Sequence, residues 1–443
     1  MSVKVRFAPS PTGKLHVGNI RPALMNWLFA AQSGGVFMLR IDDTDLARST
    51  VAFEQGIFDD MKWLGLTHGE TAKQSERFDR YAAVSEDLKA RGFLYPCYET
   101  AEELDRQRKI QRSQNKPPVY NRAALSLSDA ERTALEAEGR KAHWRFKLSG
   151  GSVQWDDVIR GEQNIDTASL SDPILIRGDG SYLYTLPSVV DDADFGISHI
   201  IRGEDHVTNS AAQIEIFNAI GAKAPAMGHH PLLVGADGDK LSKRLGRLSI
   251  AGLRDEEGIE PQAILSLLAK IGTSDPVEIR RDLAQLIEEF SFEKIGRAPA
   301  RFDLTELKTL NAKLLHETPF AEVKGRLADL QIDEVLWKAI RGNIETLADV
   351  AHWVNVVHGD IAPVIADEDV DYIAKAAALL PDGNLDENTW SNWTGVLKEK
   401  TGRKGRGLFL PLRLALTGQK HGPDVGGLLA LMDRDRVIKR LNG

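Results

Sequence analysis

The chain opens on strand alternation, with Val3, Val5 and Phe7 apolar and Lys4 and Arg6 polar between them. Pro9 and Pro11 end that run. Apolar positions then recur at helical spacing through Ile20, Leu24, Trp27, Leu28 and Ala31, which predicts a helix over about 16–31, closed by Gly34-Gly35. Residues 36–41 are apolar enough for a strand buried on both faces. Strand, helix and strand in the first forty residues or so predict a βαβ unit, the seed of a doubly wound parallel sheet. Helical patterns continue at about 52–64 and 76–91.

Near residue 101 the pattern changes. A polar helix over about 101–113 leads into Asn115-Lys116-Pro117-Pro118, and short strand-like pieces follow at 143–148, 153–159 and 164–165. These predict an α/β insertion. Sheet patterning resumes at 182–184 and 188–192, and 199–206 reads as a strand ending in a charged cluster, followed by a helix over about 209–220. Residues 231–234 form a strand that enters the turn Gly235-Ala236-Asp237-Gly238, where Asp-Gly is a hairpin signal. Beyond about 250 the periodicity is almost wholly helical: 261–270, 283–290, 304–315, 334–358, 370–380, 389–399 and 425–441. The last third reads as a helical module, and there is no internal repeat or low-complexity tract.

A length of 443 residues suggests two to four domains, and 42% hydrophobic with 27% charged residues is a globular composition. No run of about 18 apolar residues exists and the N-terminus has no apolar leader, so no membrane segment is expected. A single cysteine, Cys97, excludes an intrachain disulfide and a Cys-rich zinc site, and fits a reducing cytoplasmic location. The net charge of −8 argues against a nucleic-acid partner on average. Local charge says otherwise: Lys398, Lys400, Arg403, Lys404, Arg406, Arg413 and Lys420 lie in a stretch whose only acid is Glu399. By charge alone a solvated helix end and loop fits equally well.

Two distant segments carry the candidate chemistry. His16 and Gly18 open a helix directly after a strand, where unpaired N–H groups and the helix dipole attract phosphate. His16 would hydrogen-bond a triphosphate, and Gly18, lacking Cβ, would let an adenine ring lie on the helix backbone; the bland alternative is that His16 caps a core helix. Lys240 and Lys243, with Ser242 and Arg244, lie just past the Asp-Gly turn. Displacement at an α-phosphate spreads negative charge over its oxygens, which ammonium groups offset. A carboxylate nucleophile needs no general base, in keeping with a sequence that offers no Ser-His-Asp or Cys-His constellation. Asp42, Asp43 and Asp45 end the second strand and either hold an ammonium group or Mg²⁺ or cap the next element. Arg202, beside Glu204 and Asp205, is suited to a substrate carboxylate. Two other segments are set aside. Residues 382–387 begin like a calcium loop but carry Glu387 where Gly is needed, and His229-His230 lack a third metal ligand nearby.

These motifs resemble the class I aminoacyl-tRNA synthetases. His16-Val17-Gly18-Asn19 is similar to their His-Ile-Gly-His signature and Lys240-Leu241-Ser242-Lys243-Arg244 to their Lys-Met-Ser-Lys-Ser loop. Residues 6–13, 39–45, 189–192 and 201–206 resemble the bacterial glutamyl-tRNA synthetase family, as does the tail from Gly402 through Pro411-Leu412-Arg413 to Gly418. The resemblance implies a Rossmann-like catalytic domain with an α/β insertion and an all-helical anticodon-binding region. It implies ATP with Mg²⁺, L-glutamate, tRNA for glutamate and, as an open alternative, tRNA for glutamine. Arg6, Ala8, Ser10, Asp42, Tyr184, Ser188 and Arg202 would bind glutamate. Thr12, His16, Gly18, Asn19, Lys240, Ser242 and Lys243 would bind ATP, with His16, Gly18, Lys240 and Lys243 serving catalysis. Asp43, Arg403, Lys404, Arg406 and Arg413 would meet tRNA. The family commonly has Glu where Asp42 stands and often Asn where Ser188 stands; the shorter Asp42 leaves room for a bridging water. Some members bind zinc through cysteines near Cys97; Tyr98 and Glu99 follow here, so no zinc is expected.

The expected domains are 1–100 and 181–240 (the catalytic halves), 101–180 (the acceptor-binding insertion), 241–310 (stem contact) and 311–443 (anticodon binding). A monomer suffices. Alternatives are a glutamyl-queuosine tRNA synthetase, which would lack the helical module, and a glutaminyl-tRNA synthetase, which would end in β-barrels. A non-catalytic tRNA-binding paralogue is the alternative of a different class, opposed by intact His16, Gly18, Lys240 and Lys243.

Overall fold

The computed structural model describes residues 2–239, 241 and 248–443. They divide into two compact units, one running to Leu253 with Ile264–Asp303, the other comprising Arg254–Ala263 and Leu304–Gly443. No described helix is long and apolar enough to cross a membrane.

The first unit begins β1 (Lys4–Phe7), α1 (Val17–Gln32), β2 (Val36–Ile41), α2 (Val51–Trp63), β3 (Glu70–Lys73) and α3 (Phe78–Ala90). The three strands pair in parallel in the order β1-β2-β3, with Lys4 opposite Val36 and Met38 opposite Glu70. This is the βαβ start that the periodicity predicts. Arg6 departs from the alternation: it is buried along with Val5 and Phe7, because its charge is paired internally.

The chain continues through β4 (Leu94–Cys97), α4 (Ala101–Ser113), α5 (Asp129–Ala137), β5 (His143–Phe146), β6 (Ser152–Asp157), β7 (Gly161–Asp166) and β8 (Ile174–Ile176). β4, β5 and β8 form an antiparallel sheet of their own. Then come α6 (Thr185–Asp194), β9 (His199–Gly203), α7 (Val207–Ala219), β10 (Ala226–His230), β11 (Leu233–Gly235) and, much later, β12 (Ala300–Phe302). The hairpin β6–β7 joins β9 and β10 in a sheet of order β7-β6-β10-β9. This sheet meets the first one at Ser198, whose N–H donates to the Lys4 carbonyl and whose Oγ accepts from the Lys4 N–H, both at 2.8 Å. The result is a doubly wound α/β unit with two half-sheets side by side.

Residues 182–192 depart from the sequence expectation. Residues 188–192 are helix, not strand; in α6 Leu186 to Asp192 are all buried, and a helix buried all round shows no period. Residues 182–184 contribute one isolated bridge, Tyr182 to Ile176. The Asp237-Gly238 turn forms, with Gly238 at φ +83° and its N–H donating to Gly235 O at 2.8 Å. The returning strand of a hairpin would fall at 240 and 242–247, outside the described residues; β11 itself pairs in parallel with β12.

The second unit contains helices Leu304–Glu317, Glu334–Ile340, Asp349–His358, Val370–Ala378, Thr389–Thr401, Arg406–Thr417, Val425–Leu429 and Arg434–Asn442. They pack around a core that includes fully buried Trp337, Trp393 and Leu412. Each tryptophan N–H reaches a backbone carbonyl, Thr318 O at 2.9 Å and Ala376 O at 3.0 Å. The single helices expected over 334–358 and 425–441 are each broken. The Asp349 carboxylate accepts the N–H groups of Glu345 and Thr346 ahead of a new helix, and Asp433 caps another through the N–H groups of Asp435 and Arg436. Apolar spacing carries through both breaks and hides them.

Candidate functional site

The start of α1 organises one rim of the site. His16 is the N-cap: its Nδ1 accepts from the Gly18 N–H at 3.1 Å, while the Asn19 side chain accepts from the His16 N–H at 2.7 Å. The Val17 N–H donates to Leu248 O, and the Asn19 N–H to His16 O. The free N–H donors expected for phosphate are therefore already partnered, and the capping role of His16 is realised. The same bond fixes the imidazole. Nδ1 is an acceptor, so the proton of the neutral ring sits on Nε2, and burial lowers the ring's pKa. A Cβ on Gly18 would lie 3.0 Å from two atoms of the His16 ring. A side chain there would crowd the ring folded over the helix end.

A cavity of about 350 Å³ lies at the C-terminal ends of β1 and β9, against α1. Arg6, Ala8, Gly18, Asn19, Tyr184 and Arg202 line it, so six of the residues singled out from sequence converge. Arg202 is 7% exposed. Its Nη2 donates to Ser210 Oγ (2.7 Å) and Gln213 Oε1 (2.6 Å), its Nε approaches His229 Nε2 (3.4 Å) and its Nη1 the Tyr184 hydroxyl (3.4 Å). Among the described residues no carboxylate pairs with it. Burial lowers its pKa, and the charge awaits an anion. The Tyr184 ring is 39% exposed while its hydroxyl reaches inward. Desolvation raises the pKa of that hydroxyl, but Arg202 and Arg6 outweigh it and hold the value below the ordinary one.

The neighbouring cations are already paired. Arg6 donates to both Asp192 oxygens (3.0 and 3.3 Å). Arg40, 1% exposed, donates to Asp42 (2.6 Å), Asp192 (2.7 Å) and Ser188 Oγ (2.9 Å). Asp191 in turn accepts from Arg77, Gln74 and Tyr81. Asp42 and Ser188 thus sit behind the cavity wall, bonded to Arg40. Burial lifts the Asp42 carboxyl to about 6 against the pull of Arg40, whereas in Asp192 Arg6 and Arg40 overcome burial and lower the pKa.

Ser10 is exposed and Thr12 half-buried, and neither lines the cavity. Asp43 is 4% exposed and accepts from the Ser75 N–H at 2.8 Å, so it offers no exposed carboxylate to tRNA. Asp45 closes its own turn through Arg48, as the capping alternative has it. Lys240, Ser242, Lys243 and Arg244 lie outside the described residues. Sequence reasoning missed Asn26, His206 and His230 in the lining and Arg40, Asp192, Ser210 and Gln213 behind it. Their one signal was polar residues inside otherwise apolar elements.

The second unit has a cavity of about 490 Å³, lined among others by Trp390, Phe409, Arg406, Arg413, Lys420 and His421. Lys404 and Arg406 are exposed. Arg413 donates through Nη2 to Pro423 O at 2.5 Å, and its buried Nη1 has no partner among the described residues. Cations beside aromatic rings suit unstacked bases and their phosphates. Arg403 is turned elsewhere: it pairs with Asp369 and lies 4.2 Å over the Tyr372 ring. Its expected phosphate contact is corrected to an internal ion pair.

Cys97 does have neighbours: ligand atoms of Cys97, Glu99 and His143 lie within 4.8 Å of one another. Burial pushes the thiol up to about 12, and the Tyr120 hydroxyl donates to Glu99 at 2.5 Å.

The cavity lies where the two half-sheets adjoin, at strand C-terminal ends, which is where open α/β sheets bind ligands. The family model for class I tRNA synthetases (E and Q), catalytic domain, matches residues 2–309, and that for an anticodon binding domain matches 283–443. The chain belongs to the class I tRNA synthetases of the glutamate and glutamine type. Its relatives narrow the class. A protein named glutamate–tRNA ligase 1 from Maricaulis maris is 62% identical over 442 residues, 99% of each chain. Glutamate–tRNA ligase 2 from Hyphomonas neptunium is 59% identical over 441 residues, again 99% of each. The crystal structure of a glutamate tRNA ligase from Elizabethkingia meningosepticum, in complex with its amino acid, superposes with a TM-score of 0.84 at 28% identity, covering 100% of this chain and 99% of that one.

Proposed function

We infer that this chain is a glutamate–tRNA ligase. A carboxylate of L-glutamate attacks the α-phosphate of ATP, giving glutamyl-adenylate and pyrophosphate. A hydroxyl of the terminal ribose of tRNA for glutamate then attacks the acyl carbon, the acyl–phosphate bond breaks and AMP leaves. The observation that carries the reading is Arg202, a desolvated guanidinium held by neutral groups in the cavity wall beside the start of α1. Relatives named glutamate–tRNA ligase over the full length support it.

In this reading Arg202 binds a substrate carboxylate, with Tyr184 beside it, while Arg6, paired with Asp192 in the cavity wall, adds positive potential and Ala8 completes the pocket. Asp42, seconded by Ser188, supplies negative potential for the α-ammonium group. His16 donates Nε2–H to the triphosphate, while Gly18, Asn19 and Thr12 border the nucleotide. Lys240, Ser242 and Lys243 offset charge on the α-phosphate. ATP arrives with Mg²⁺; Asp205, in the same lining, offers the hard oxygen donor that Mg²⁺ takes. Arg406, Arg413 and Lys404 meet tRNA in the second unit. The enzyme works as a cytoplasmic monomer.

The test supplies purified protein with ATP, radiolabelled glutamate and purified tRNAs for glutamate and for glutamine, side by side. Label on the first tRNA is expected. Label on neither sinks the reading, and label on both adds the second tRNA to the substrates.

A further inference from the structure

His229 was set aside as a metal ligand, and no role above uses it; it is fully buried and aimed at Arg202. Its Nδ1 lies 2.5 Å from Asp157 Oδ2, and its Nε2 lies 2.8 Å from Ser210 Oγ and 3.4 Å from Arg202 Nε. Asp157, Ser210 and Gln213 are also buried. The carboxylate fixes the tautomer. An ionised Asp157 accepts, so Nδ1 carries the proton and Nε2 is left as an acceptor facing Ser210 and Arg202. In Asp157, burial raises the pKa, but His229 and backbone N–H groups more than offset it and lower the value. Burial, with Arg202 adding to the effect, lowers the His229 pKa against the opposing pull of Asp157, which favours the neutral ring.

The elements are brought together by tight packing. Met227 of β10 lies opposite Asp157 of β6, and a Cβ on Gly228 would come within 2.7 Å of Val158. Ser210 and Gln213 lie one turn apart on α7. The β6–β7 hairpin, from the segment that sequence assigned to the insertion, thus reaches the back of the amino-acid cavity.

We propose that Asp157, His229 and Ser210 are positioning residues for Arg202. The carboxylate holds the imidazole as an acceptor, and imidazole, hydroxyl and the Gln213 amide oxygen hold the guanidinium without neutralising it. A carboxylate placed directly against Arg202 would hold it as firmly but would compete with the substrate. The relay instead puts the anion one imidazole away. This rests on the reading that Arg202 receives a substrate carboxylate.

Asp157→Asn isolates the relay from the fold. Asp157 Oδ1 accepts the backbone N–H groups of Ile159, Arg160 and His229, and the amide oxygen of asparagine can keep all three. Its NH₂ would take the place of Oδ2 and donate to Nδ1, moving the imidazole proton to Nε2, where it opposes the guanidinium. The expected result is a glutamate KM raised about tenfold, the loss of one hydrogen bond to a charged group, with ATP KM and Tm unchanged. Ser210→Ala should shift glutamate KM in the same direction, and ¹⁵N NMR of labelled histidines should report the tautomer change in D157N. Unchanged glutamate KM in both variants overturns the proposal, as does an equal rise for glutamate and ATP with a lowered Tm. Arg202→Ala is the control: if it leaves glutamate KM unaltered, the underlying reading of Arg202 fails instead.

Discussion

The two cavities hold their cations in opposite ways. In the α/β unit Arg202, Arg6 and Arg40 are buried, and each is fixed by several side-chain bonds. In the helical unit Lys404, Arg406 and Lys420 stand in solvent, and Arg413 is tethered by one end only. A small zwitterion offers few charges, so its site must arrange them in advance at low dielectric, where each is worth more. A polyanion offers many, and mobile surface cations suffice because the affinity is a sum over phosphates.

Breaking the buried side should have the largest effect. Arg202→Ala is expected to raise glutamate KM by at least ~30-fold, the low end for losing one partner of a buried charge pair, while ATP KM holds. Steady-state kinetics with each substrate varied checks this, and equal effects on both would refute a carboxylate role. His16→Asn separates capping from phosphate contact, because asparagine is a good N-cap but lacks Nε2–H. The glutamylation rate should fall roughly 10²-fold, as when one charge-stabilising donor is lost, with Tm unchanged. A normal rate would leave His16 as a cap alone.

Arg413→Ala sharpens the contrast in the helical unit, with tRNA KM expected to rise about tenfold and glutamate KM to stay put. The Asp42 carboxyl, lifted to about 6 by burial, is ionised above that pH and neutral below it. Glutamate KM should therefore rise severalfold as pH falls from about 7 to 5, and Asp42→Asn should flatten that limb of the profile. A profile identical in the variant would assign the limb to another group. The smallest effect is expected of exposed Lys404: Lys404→Ala should lower the slope of log tRNA affinity against log salt by about one and leave the specificity among tRNAs alone.

Much of the site was legible because its residues sit in local patterns with a local cause. His16 and Gly18 mark a helix start after a strand, and Arg202 ends a strand before a charged turn. Residues that act across the fold left little trace. Asp191 and Asp192 looked like the polar end of a strand, yet they are buried helix residues that neutralise Arg6, Arg40 and Arg77 from other elements. His229 looked like a spare histidine. The breaks at Asp349 and Asp433 were hidden because apolar spacing describes the buried face, whereas the cap that restarts a helix depends on where one carboxylate points.

The sequence by itself determined the βαβ beginning, the helical last third and which residues could carry charge to a site. Those are properties of short windows, set by periodicity, turn chemistry and residue type. Only the tertiary structure decided which charges already have a charged partner. Arg6, Arg40, Arg403 and Asp42 are committed to partners far along the chain or across an element, whereas Arg202 and the inner nitrogen of Arg413 are not. Whether a charge is available depends on what folding brings beside it, and pairing at long range is invisible to any local pattern.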